Sequence, residues 1–114
     1  MEKKYEAIFC IVNAGFSDDV MAAARKAGAG GGTILKGRGA APREAEEIFK
    51  ITIQPEKEVV MILVGEDIKD RVLRSIYDEA GLGSAGHGIA FSLPIDRAVG
   101  LSDFSKTKKL EPEG

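Results

Sequence analysis

The chain is poor in several residue types, and each shortage removes a class of function. Cys10 is the one cysteine, so no disulfide can close within the chain. His87 is the one histidine, and with a single cysteine beside it no zinc-type ligand set can be assembled. Positive charge is not in surplus either: 16 Lys and Arg face 18 Asp and Glu, for a formal net charge of −2. A nucleic-acid-binding module would normally carry a basic excess. No unbroken apolar run is longer than Val59–Val64, far short of the ~20 residues that cross a bilayer as a helix. Met1-Glu2-Lys3-Lys4 also lacks the pattern of a secretory signal. The expectation is a soluble, cytoplasmic protein without a nucleic-acid partner and without membrane insertion.

What remains suits one packed domain. The chain has 114 residues, 44% hydrophobic and 30% charged, which is enough apolar material for a core. Glycine is abundant: 14 residues, about 12% against a usual ~7%. The glycines cluster between Gly28 and Gly39 and again between Gly81 and Gly88. Two such clusters mark two places where backbone turns tightly or approaches something closely.

Tyr5–Val12 (YEAIFCIV) is aromatic and β-branched and predicts a first strand. Ser17 follows as a helix N-cap, with Asp18 and Asp19 placed to favour the helix dipole. Val20, Ala24 and Ala27 continue one face and Gly28 ends the helix, which gives a helix over 17–27. Thr33–Leu35 predicts a short second strand, and Gly37–Glu47 an exposed loop or short helix. Ile48–Ile53 alternates as a half-exposed strand does, and Val59–Val64 is apolar on both faces. Asp67 predicts the cap of a second helix, in which Ile68, Val72, Ile76 and Ala80 recur at i+4 beside Leu73. Ile89–Leu93 predicts the last strand, after which residues 103–114 form a polar tail.

This order is the βαββαβ pattern of an α+β, ferredoxin-like sandwich over residues 1–102, with its middle hairpin elongated. Two helices can cover one face of a four-stranded sheet. The two-sided strand at Val59–Val64 therefore needs other cover, and association of copies of the same chain supplies it.

Three motifs call for a chemical reading. Gly81-Leu82-Gly83-Ser84-Ala85-Gly86 spells the dinucleotide fingerprint G-x-G-x-x-G, but a helix precedes it and a strand follows. The fingerprint works the other way round, with the pyrophosphate on a following helix N-terminus, so the match carries no such site. Gly86-His87-Gly88 reads as a plain helix-to-strand turn, or as a ligand-facing backbone with His87 as a polar contact. Lys36-Gly37-Arg38-Gly39 reads as an anion cradle at a strand end, or as a solvated face paired with Glu44, Glu46 or Glu47. Cys10, in the middle of a strand, reads as a small buried hydrophobe rather than a nucleophile.

Through Gly28–Gly39 (GAGGGTILKGRG), Val59–Asp67 (VVMILVGED) and Gly86–Phe91 (GHGIAF), the chain resembles the PII-like signalling proteins, the superfamily of the nitrogen regulatory protein PII. The third segment is similar to that family's Gly-Asp-Gly-Lys-Ile-Phe signature. The resemblance implies a homotrimer whose sheets line a central core. It implies that residues 37–56 form a loop segment that engages a target enzyme or transporter, with Arg43, Glu44, Glu46 and Glu47 as its contact residues. It also implies an inter-subunit cleft for a small-molecule effector, an adenine nucleotide or another small anionic metabolite. In this chain that cleft would be formed by Lys36, Gly37, Arg38, Gly39, Gly86, His87, Gly88 and Ile89.

The departures from the family pattern bear on the ligand. Ile89 stands where the family has a lysine, Met61 where it has that lysine's acidic partner, and Gly100 and Ser102 where it has two arginines; Ala41 replaces a loop-base glutamine. Phosphate recognition needs paired cations or aimed N–H donors, so most of the charged clamp behind classical ATP/2-oxoglutarate binding is missing. Loss of a charged pair together leaves no orphaned charge, which fits a pocket retuned toward a less charged ligand. No catalytic residue, metal ligand or fixed cofactor is implied. The alternatives are a small ferredoxin-fold enzyme, an acylphosphatase-like hydrolase or cofactor-free oxygenase drawing on His87, Cys10 or Arg38, and a CutA-like trimer.

Overall fold

In the structure, a computed structural model, residues 4–40, 47, 55–84 and 87–101 are described. Among these the chain forms strand β1 (Tyr5–Asn13), helix α1 (Ser17–Lys26), strand β2 (Thr33–Arg38) and strand β3 (Glu56–Gly65). A single 3-10 turn (Glu66–Ile68) then leads into helix α2 (Lys69–Glu79), and strand β4 (Gly88–Pro94) closes the order. The expected strand at Ile48–Ile53 and the polar tail lie outside the described residues.

The four strands form one sheet in the order β2-β3-β1-β4, with every neighbouring pair antiparallel. Each helix connects strands that are not adjacent, so two split βαβ units interlock in the ferredoxin-like arrangement. Both helices lie on one face, where alternation along the strands sends Ile8, Cys10 and Val12 of β1 and Val60, Ile62 and Val64 of β3 into the core. Val20, Ala23 and Ala24 of α1 and Val72 and Ile76 of α2 complete it, with Ile68, Leu73 and Ala80 packed at its border. The i+4 stripe on α2 thus sits where its spacing places it.

Among the described residues no helix covers the opposite face of the sheet. Leu35, Leu63, Ile89, Phe91 and Leu93 are exposed there, Ile89 at 59% of its surface. The Phe9 and Phe91 rings stack across β1 and β4, 5.6 Å between centroids and 11° from parallel.

Four local expectations are corrected. β2 runs to Arg38 rather than ending at Leu35, and β3 begins at Glu56 rather than Val59. In the extension Lys36 lies opposite Glu58, Gly37 opposite Lys57 and Arg38 opposite Glu56, so the facing positions carry no like charges that would oppose pairing. Ser17 is not a side-chain cap; Phe16 takes the N-cap position, and a carboxylate from β3 serves the helix end instead. Asp67 does not cap α2 either, because the 3-10 turn precedes it and Ile68 occupies the N-cap. At the other end of α1 the glycine expectation holds. Gly28 has φ +113°, its N–H donates to the Arg25 carbonyl and the Ala29 N–H to that of Ala24, which together make a Schellman stop.

Candidate functional site

The two glycine-flanked segments lie at the same end of the sheet but on its two opposite edges. Register places Lys36 opposite Glu58, Glu58 opposite Val12, and Val12 opposite Gly88, so one row of residues runs from β2 to β4. Two strands separate Lys36 from Gly88, and at ~4.8 Å per strand step the distance is roughly 14 Å. One copy of the chain therefore does not bring Lys36, Gly37, Arg38 and Gly39 against His87, Gly88 and Ile89. Gly86, Arg43, Glu44 and Glu46 lie outside the described residues, and Glu47 is exposed.

On β2, Lys36 and Arg38 are exposed and project on the same side as Glu58 and Glu56. Among the described residues no carboxylate forms a salt bridge with either of them. Glu58 has other partners: its Oε1 accepts hydrogen bonds from the Gly15 N–H at 3.0 Å and the Ser17 N–H at 3.2 Å. Those donors precede or begin α1, so this carboxylate caps the helix from a neighbouring strand. The hydrogen bond with the Ser17 side chain, then that from the Gly15 N–H, hold the Glu58 carboxyl below the usual carboxylate range, and the charge of Lys36 adds to the effect. Lys57, on the other side of β3, donates from Nζ to Asn13 Oδ1 at 2.6 Å, and its stem would contact any Cβ placed at Gly39.

Sequence reasoning overlooked Glu58, Lys57 and Asn13. Their signal was present: Glu56-Lys57-Glu58 alternates in sign against Lys36-Gly37-Arg38, as facing arms of a hairpin do. This end of the sheet offers two cations, a strand-end backbone and a helix start already served by its own carboxylate. Two exposed cations at a strand end are chemically able to meet an anion.

At the β4 edge, Gly88 is required by packing. Its φ is +144°, and a Cβ there would lie 2.5 Å from the Ile11 carbonyl oxygen. His87 is exposed; its Nδ1 lies 3.1 Å from the Gly81 carbonyl, which can only accept, so Nδ1 carries the proton and Nε2 is left for solvent or ligand. Ile89 projects from the uncovered face. The glycine fingerprint beginning at Gly81 does lie after α2 and before β4, the reverse of the dinucleotide context.

Cys10 is fully buried, and burial pushes its thiol up to about 11, so the inert reading stands. Among the described residues no group of three His, Cys, Asp or Glu side chains could hold a metal ion. None of the described helices is long and apolar enough to cross a membrane.

No protein-family model matches the chain, and no curated protein does. Among solved structures it is similar to Arabidopsis thaliana PII, determined with citrate bound: 26% identical, TM-score 0.61, covering 82% of this chain and 79% of that one. The sandwich described above is a PII-like fold.

Proposed function

We propose that this protein is a non-enzymatic, PII-like signal sensor that works as a homotrimer in the cytoplasm, in metabolic regulation of the nitrogen-signalling type. Its effector sits between subunits, held by Lys36–Gly39 of one copy and Gly86–Ile89 of the next. The observation that carries this reading is the separation of those segments across the sheet, roughly 14 Å within one copy by the strand spacing. Two half-sites on opposite edges become one site where copies stand side by side, and the uncovered apolar face supplies the reason for copies to associate.

The ligand is a small anionic metabolite. Lys36 and Arg38 give two cations for it, while Ile89 and Met61 leave the remaining wall uncharged. A polycarboxylate of the kind seen on the Arabidopsis protein fits that composition better than the triphosphate of an adenine nucleotide, which needs more cations. The segment 37–56, with Arg43, Glu44, Glu46 and Glu47, reports occupancy to a target enzyme or transporter.

Titration calorimetry of the full chain with citrate, ATP and 2-oxoglutarate tests this. Citrate or a related polycarboxylate is expected to bind, ATP weakly or not at all. Arg38→Ala should weaken the bound anion about tenfold, the loss of one charge-assisted contact worth ~1.5 kcal/mol. Tight magnesium-dependent ATP binding, or an unchanged affinity in Arg38→Ala, would contradict the assignment.

A further inference from the structure

A cleft of about 910 Å³ opens at the end of the sheet far from the two half-sites, where β1 begins and β3 and β4 finish. Lys4, Glu6, Glu66, Asp96 and Arg97 stand on its walls. The half-sites share the row Lys36–Glu58–Val12–Gly88, and Glu6 precedes Val12 on β1 by a span of about 20 Å at the usual rise per residue. The walls are fixed to the start of β1: the Glu66 N–H donates to the Lys4 carbonyl at 2.9 Å and the Ile95 N–H to that of Tyr5 at 3.1 Å. β1 runs between β3 and β4, so Glu6 is on neither edge strand. By the alternation of β1 it projects on the helix side with Ile8, away from the uncovered apolar face.

Glu6 is the unusual member of this set. It is 9% exposed, the one charged side chain buried among the described residues. Its carboxylate nonetheless forms no ion pair or hydrogen bond with any of them. No side-chain oxygen of those residues is both sealed from solvent and unpartnered, so the carboxylate keeps contact with solvent, and the cleft it lines gives it that contact. A carboxylate held this deep without a partner is costly, and a bound group of opposite charge offsets the cost.

The remaining charges on the walls balance, Lys4 and Arg97 against Glu66 and Asp96, all of them exposed. Glu6 is the surplus negative charge, so the cleft is short of one cation. The acidic side chains here are not gathered into a set that could hold a metal ion. A primary ammonium group supplies both the charge and the N–H donors that the carboxylate lacks.

We propose that this cleft binds a small metabolite through its primary ammonium group, which pairs with the Glu6 carboxylate.

Calorimetric titration of the full chain with n-butylammonium chloride and with tetramethylammonium chloride tests this, because the two ions carry the same charge and only the first donates hydrogen bonds. n-Butylammonium should bind at least tenfold more tightly, and Glu6→Gln, which keeps the shape and removes the charge, should abolish the difference. Without ligand, Glu6→Gln should leave the melting temperature unchanged or raise it, since an unpaired buried charge is removed. Arg38→Ala, in the effector cleft, should leave n-butylammonium binding unchanged. The proposal is overturned if neither ion binds, if the two bind alike, or if the preference survives in Glu6→Gln. A melting temperature several degrees lower in Glu6→Gln would also overturn it, by making Glu6 a structural carboxylate. So would loss of binding in Arg38→Ala, which would place the ion in the effector cleft.

Discussion

The two faces of the sheet are built from the same strands and have opposite fates. On the helix side Ile8, Cys10, Val60 and Ile62 are sealed under α1 and α2, each 1% exposed or less. On the other side Leu63, Phe91 and Leu93 are each 40–48% exposed although the residues are just as apolar. Helical cover makes the first face a core. The second has no such cover among the described residues, and on the proposed function it is where copies of the chain meet. On that proposal stability and assembly rest on different residues of one strand, and alternate positions along β3 and β4 should be changeable to affect one and not the other.

The sharpest way to break the comparison is a pair of substitutions. Ile62→Ala, on the sealed face, should destabilise the fold by about 2–5 kcal/mol through lost burial and a cavity, measured by urea unfolding. Phe91→Glu, on the open face, should cost about 1 kcal/mol by losing the stack on Phe9. Its main effect should be on assembly, read by size-exclusion chromatography with light scattering. Equal stability losses in the two variants would show that the faces are not distinct in role.

A smaller effect concerns the cap at the start of α1. The Glu58 carboxyl is held below its usual range in the folded state, so its contribution is fully present above the ordinary value of 4.5 and is lost as pH falls below it. An acid-unfolding series should show this, and Glu58→Gln should flatten that limb of the profile. An unaltered profile in the variant would remove Glu58 as a cap.

Much of the fold was legible because its signals are local. The aromatic and β-branched run Tyr5–Val12, the Val72–Ile76 spacing and the stop at Gly28 each predict an element that the structure contains. The errors arose where one segment's conformation depends on another. Gly37 and Arg38 read as loop in isolation, and are strand where they pair with Lys57 and Glu56 of β3. Ser17 reads as a cap, but Glu58, more than forty positions away, takes that role. The candidate site was legible as two segments and not as a geometry, since only the strand order places them on opposite edges of one sheet.

Sedimentation velocity of the full chain at micromolar concentration, in parallel with Phe91→Glu, tests the central claim most directly. The account predicts one species at three times the 12.1 kDa chain mass for the parent protein and the single-chain mass for the variant. A parent protein that sediments as a well-behaved single chain would contradict it, because the half-sites on β2 and β4 would then never meet.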